Sequence, residues 1–209
     1  VGVARAVAAV ALLGSMGLAR AEVDWAKGLV TANGLGIADR HAPTPASARE
    51  PARRAAEEAA RAKLTAALPS LPLASGGTLQ TRLADPNVKA RIERAVASAI
   101  TVDSIPQTDG SWNVVLAVPI EAVRQALAGP RAFATSDAGP AIVIVEGKPP
   151  EPAVGFTIGG VAAAAVWVTE IPKWAKGAPR VKATAAKPGA IELDAKQGGP
   201  STLFVIVGH

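Results

Sequence analysis

A chain of 209 residues carries a formal net charge of +5, no cysteine, no tyrosine and only 3% aromatic residues. This composition excludes disulfides, thiolate metal sites, a cysteine nucleophile and a lipidation cysteine, and it leaves Ala, Val, Leu and Ile to build the core. The length suits one or two domains with a sizeable core, and the 20 glycines and 17 prolines are dispersed, as in a loop-rich globular protein.

At the amino end Arg5 precedes an apolar run over 6–19, which closes on Ala19-Arg20-Ala21. A charged start, a short apolar stretch and a small-x-small site predict a secretory signal peptide over 1–21, cleaved before Glu22. The alternative, an uncleaved anchor, needs about 20 apolar residues to span a bilayer. The later apolar run from Val161 to Val168 is shorter still. The expected location is periplasmic or secreted, with peripheral association to the outer membrane. Cleavage leaves 20 basic against 17 acidic residues, a net +3, too mild to predict a nucleic-acid partner.

Alternation and β-branched residues predict a strand over 28–38, led by Trp25. Its glycines, Gly34 and Gly36, mark either a bulge or a close approach of the next helix. Asn33-Gly34-Leu35-Gly36 lacks the GxxxxGK[ST] spacing of a phosphate loop, and Pro43 and Pro45 follow it. Over 47–68, Ala52, Ala56, Ala60, Leu64 and Leu68 recur every four residues among Arg53, Arg54, Glu57, Glu58, Arg61 and Lys63, the period of an amphipathic helix. Its start falls between Ser47, three residues before Glu50, and Pro51, a good first helical residue. Glu57 and Arg61 are spaced to pair on its exposed face.

A short strand is predicted over 78–83. Asp85-Pro86 then caps a second helix over 86–100 with the stripe Val88, Ile92, Val96 and Ala99. A strand over 101–105, a turn at Asp109-Gly110 and a strand over 112–118 form a hairpin. A short helix over 121–127 stops at Gly129 and Pro130. The predicted fold is α+β: over 22–130 an antiparallel sheet with two main helices on one face, then a small β-rich module over 131–209. In that module strands are expected over 141–145, 154–158, 161–169, 190–193 and 202–207, with a stiff loop over 147–152.

Trp25 ahead of Gly34 and Gly36, the helical run ARRAAEEAARAKL with Arg54, Ala55, Ala59, Ala62 and Leu64, and the hairpin DGSWNVVLAVPIEAV with Asp109, Gly110 and Val118-Pro119 together resemble the lipoprotein-20 family of envelope proteins. That family is related to the amino-terminal domain of flagellar assembly protein T. The resemblance spans roughly 25–127 and implies a non-enzymatic protein associated with the outer membrane or with surface appendages. Family members are often lipoproteins, and this chain has no cysteine to acylate, so an outer-membrane location requires a partner.

The chemistry of catalysis is sparse. A zinc site needs three or four convergent ligands, and the two histidines are His41, in a proline-flanked stretch, and His209. No G-x-S-x-G elbow is present, and the carboxylate pairs Glu57 with Glu58 and Asp103 with Asp109 carry no sign of enclosure. No catalytic, cofactor-binding or metal-ligating residues are assigned, and no cofactor is expected. Trp25, Trp112 and Trp167 are expected to pack within strands.

Between Ile171 and Pro188 five positive residues and no negative one surround a tryptophan: Lys173, Trp174, Lys176, Arg180, Lys182 and Lys187. Those six are the candidate contact for an anionic membrane or envelope glycan. The alternative is a solvated loop with Trp174 tucked into the domain. The functional expectation is a non-enzymatic envelope accessory protein that binds another envelope or appendage protein, the anionic surface being the second choice. An enzyme with an unrecognised site is the third.

Overall fold

The computed structural model describes residues 21–129 and 139–208. Its first part holds β1 (Glu22–Asp24), β2 (Leu29–Gly36), α1 (Pro45–Ala67), α2 (Pro86–Ala97), β3 (Ile100–Pro106), β4 (Trp112–Pro119) and α3 (Ile120–Ala128). The four strands form an antiparallel sheet in the order β1-β2-β4-β3.

The alternation in β2 sorts its residues by face. Val30 and Ala32 are buried under α1, while Asn33 and Leu35 face outward. Gly34 and Gly36 lie on the helix side for a steric reason. A Cβ at Gly34 would stand 1.8 Å from the Ala56 carbonyl oxygen, and one at Gly36 1.7 Å from that of Ala52. Of the two roles predicted for these glycines, close approach of the helix is the one observed. The helix side answers in kind, because Ala52, Ala56, Ala60, Leu64 and Leu68 are all buried.

The start of α1 differs from the expectation. Thr44 is the cap, its side chain accepting from the Ser47 amide at 3.2 Å while Ser47 Oγ accepts from the Thr44 amide at 3.2 Å. Ser47 is thus the third residue of the box instead of its cap. Pro51 falls inside the helix, where it has no N–H to offer the Ser47 carbonyl.

Asp85 caps α2 as expected, accepting from the Asn87 amide at 2.8 Å. Val88, Ile92 and Val96 are buried in the same cluster as Val114, Leu116 and Val118 of β4. The stretch expected as a strand over 78–83 is instead a 3₁₀ helix at Leu79–Arg82, which buries Leu79. A single leucine anchor is met by one tight turn, whereas a strand needs a neighbour to pair with.

The second part is a curled seven-stranded sheet: β5 (Ile142–Gly147), β6 (Thr157–Ile158), β7 (Val161–Ala162), β8 (Ala164–Val168), β9 (Arg180–Lys187), β10 (Ala190–Leu193) and β11 (Leu203–Val207). Its order is β7-β6-β10-β9-β5-β11-β8, with β8, β11, β5 and β9 mutually parallel. The strand expected over 161–169 is two pieces, and the one expected over 154–158 is only its last two residues. Both faces of this sheet are filled. Val143, Val145, Trp167, Phe204 and Ile206 pack on one, and Ile144, Val166, Val205 and Ala175 on the other.

The two parts share residues at their junction. Trp25 does not lie in a strand but in the turn between β1 and β2. It meets Trp167 edge to face with ring centroids 5.6 Å apart. Ala74 donates its amide to the Val154 carbonyl at 2.9 Å and accepts from the Gly189 amide at 2.6 Å.

Candidate functional site

Every open sheet edge presents unpaired backbone groups, and proteins close such edges with lysines, bulges or covering loops. Among the described residues, contacts of this kind reach β2, β7 and β8. On β2, beyond the reach of the short β1, Lys63 Nζ donates to the Asn33 carbonyl at 2.8 Å and to its side-chain oxygen at 3.3 Å. On β8 the Trp167 amide donates to the Trp25 carbonyl at 3.1 Å. On the two-residue β7 the Arg124 guanidinium donates to the Ala162 carbonyl at 3.4 Å. Glu121 holds that guanidinium at 2.7 and 2.6 Å.

The longer edge of the four-stranded sheet is β3, opposite the three-residue β1. All seven of its residues are exposed, and among the described residues its only paired strand is β4. Side chains and backbone are both on offer there: Ile100, Val102 and Ile105 are 45–54% exposed. The Ser104 amide is taken locally by Asp103 Oδ1 at 2.8 Å, and the Ser104 hydroxyl accepts from Trp112 Nε1 at 2.8 Å. A β-bulge at Val102 interrupts the ladder between Thr101 and Asp103.

Register places the outer face of this sheet in three rows, because strand partners share a face. Ile100 lies beside Ala117 and Thr31, Asp103 beside Val115 and Asn33, and Ile105 beside Asn113 and Leu35. Leu35 is 58% exposed. Helix α1 covers the opposite face, where Val114, Leu116 and Val118 are buried. The outer face therefore carries an aliphatic border with one carboxylate in its middle row.

The six residues of the basic segment are redistributed by the fold. Lys173 and Trp174 sit in a 3₁₀ turn at Lys173–Ala175, on the connection between β8 and β9, and Ala175 is the residue that turns inward. Trp174 stays 54% exposed, so it does not tuck into the core. Arg180, Lys182 and Lys187 belong to strand β9 and not to a loop. Neighbouring strands bring anions to them: Glu146 of β5 meets Arg180 at 2.9 Å, and Glu192 of β10 meets Lys187 at 2.5 Å. That carboxylate bonds the ammonium and raises the Lys187 pKa. Among the described residues Lys173, Lys176 and Lys182 have no carboxylate within ion-pair distance.

The candidate acid and base groups have local duties. Asp109 accepts from the amide and hydroxyl of Ser111 at 2.9 and 3.1 Å, fixing the hairpin turn. Glu57 pairs with Arg53 and, at 3.6 Å, with Arg61, as the helix spacing predicts. The His41 amide donates to Asp39 Oδ1 at 2.9 Å, a turn geometry on the exposed surface. Among the described residues no three His, Cys, Asp or Glu converge as a metal site. A cleft of about 280 Å³ lies where Leu127 and Arg124 of α3 face Val154 and Phe156, but its inner guanidinium is already neutralised by Glu121.

Sequence reasoning found the strand at β3 but not its position at the border. Strand order depends on which segments pair across the sheet, and that information is non-local. A weak signal was present all the same: Asp103 in the middle of the strand and Pro106 at its end are residues that edge strands tolerate.

No protein-family model matches the chain, and a comparison with curated proteins finds no significant match. The likeness to the lipoprotein-20 family therefore stays an expectation. Among the described residues no helix is long and apolar enough to cross a membrane.

Proposed function

We propose that this chain is a non-enzymatic accessory protein of the cell envelope, binding another envelope protein by accepting one of its segments as an added strand on β3. The observation that carries this reading is the open length of β3: all seven of its residues are exposed and among the described residues it pairs only with β4, whereas Lys63, Trp25 and Arg124 each take a backbone group on β2, β8 and β7. Strand addition draws its affinity from the backbone ladder and its selectivity from alternate side chains. Covering the exposed halves of Ile100, Val102 and Ile105 adds roughly 1 kcal/mol each. The envelope location rests on the signal peptide expected over 1–21.

The test is an affinity pull-down from chemically cross-linked envelopes of the host, comparing the native chain with Ile105→Lys, which places a charge on an exposed edge position without touching the core. The reading expects one stoichiometric envelope protein with the native chain and its loss with the variant. Equal recovery with both chains would exclude β3 as the contact.

A second reading, contact with an anionic membrane or envelope glycan, is favoured by Trp174. It is exposed between Lys173 and Lys176, which among the described residues have no carboxylate within ion-pair distance. Tryptophan favours the headgroup region, and each nearby cation adds about 1 kcal/mol at an anionic surface.

A further inference from the structure

We infer that the strand accepted by β3 carries a lysine or arginine between two aliphatic residues on the side that continues the outer face of the sheet. This inference rests on the strand-addition reading and names the partner's chemistry.

Asp103 is the one ionisable residue of β3. It is exposed, and among the described residues no cation lies within ion-pair distance of its carboxylate. The rows of the outer face run through it, with Ile100 and Ile105 on either side. An added strand extends those rows. Opposite Ile100 and Ile105 it meets apolar surface, and opposite Asp103 it meets an unneutralised carboxylate. Opposite charges facing each other across strands are stabilising, and like charges are destabilising by a similar amount.

The same residue argues against a second copy of this chain as the occupant. β3 spans seven residues with Asp103 at its midpoint. Two copies paired antiparallel along their full length would set Asp103 against Asp103, with like charges opposed. The bulge at Val102 further disfavours a flat, self-complementary seam. The edge is thus guarded against its own kind and suited to a strand of complementary charge.

The experiment uses the full chain, isotopically labelled and followed by amide chemical shifts, titrated with two capped heptapeptides. One is Thr-Ile-Thr-Lys-Thr-Ile-Thr, and the other has glutamate in place of the lysine. The expected result is saturable shifts confined to β3 and β4, with the lysine peptide bound at least about threefold more tightly. Asp103→Asn should abolish that preference and Asp103→Lys should invert it.

Equal affinity for the two peptides, or a preference untouched by either variant, would overturn the inference. So would the absence of shifts at β3 with both peptides. If the native pull-down still yields a partner that Ile105→Lys loses, strand addition stands and only its charge selectivity fails. A dimer of the full chain that Val102→Lys dissociates would also overturn it, by putting a second copy on the edge.

Discussion

Gly34 of β2 lies so close beneath Ala56 of α1 that a Cβ on the glycine would meet the alanine carbonyl oxygen at 1.8 Å. Strand interiors ordinarily gain from replacing glycine with alanine, since glycine loses more backbone freedom on folding. Here the sign reverses. Gly34→Ala must push the helix off the sheet along its whole alanine stripe, and the expected cost is about 1–3 kcal/mol or more. Urea unfolding should show a lower midpoint with an unchanged slope. Leu35→Ala, one residue away on the exposed face, should lie within about 0.5 kcal/mol of the native chain.

Trp25 and Trp167 join the two sheets through their edge-to-face contact, and Trp25 packs against the cores of both. Among the described residues Trp167 Nε1 is buried without an oxygen or nitrogen partner, and the contact with Trp25 is one of rings. A double-mutant cycle with Trp25→Leu and Trp167→Leu is expected to give a coupling of about 0.5–1.5 kcal/mol. A coupling near zero would mean that the ring contact contributes nothing to joining the two sheets, leaving that to the backbone bonds of Ala74, Trp25 and Val154 and to Arg124.

Asp24 closes the turn between β1 and β2. Its carboxylate accepts from the Lys27 amide at 2.9 Å and pairs with the Lys27 ammonium at 3.0 Å. The backbone bond, ahead of the side-chain contact, holds its pKa below the usual carboxylate value. A carboxyl group depressed in the folded state stabilises the protein above its unfolded pKa, and that contribution is lost as pH falls through the folded value. Asp24→Asn should therefore lower stability at neutral pH and make the acid limb shallower. Glu50, bonded by Arg53 and Arg54, shifts in the same direction. Unfolding midpoints of both chains between neutral pH and about pH 3 provide the check.

The anionic-surface reading makes its own demand on the basic segment. Among the described residues the ammonium groups of Lys173, Lys176 and Lys182 have no carboxylate within ion-pair distance, whereas Arg180 and Lys187 are paired. Co-sedimentation with phosphatidylglycerol vesicles should be salt-sensitive, and it should be lost in the triple variant Lys173→Gln, Lys176→Gln, Lys182→Gln. Lys187→Gln should leave it nearly intact. Binding unchanged in the triple variant would exclude this surface.

Local signals carried much of the fold. The four-residue stripe of α1, the Asp85-Pro86 cap of α2 and the Asp109-Gly110 hairpin all act within a few residues, and each is present. What depended on distant pairing was less legible. Arg180–Lys187 forms a strand because β5 and β10 flank it, and the ion pairs that mute its charge come from those same neighbours. The Thr44 cap was hidden because Ser47 fits an N-cap position equally well by type. The site suffered most, since the exposure of β3 is a property of sheet order and no residue within it announces that alone.

A strand accepted by β3 from another envelope protein would lie within reach of site-specific photo-cross-linking in the living host. A photoreactive residue replacing Val102 should capture one envelope protein in high yield. The same residue at Glu93, on the exposed face of α2, should capture none. Capture of the same proteins from both positions, or of nothing from Val102, would contradict the account.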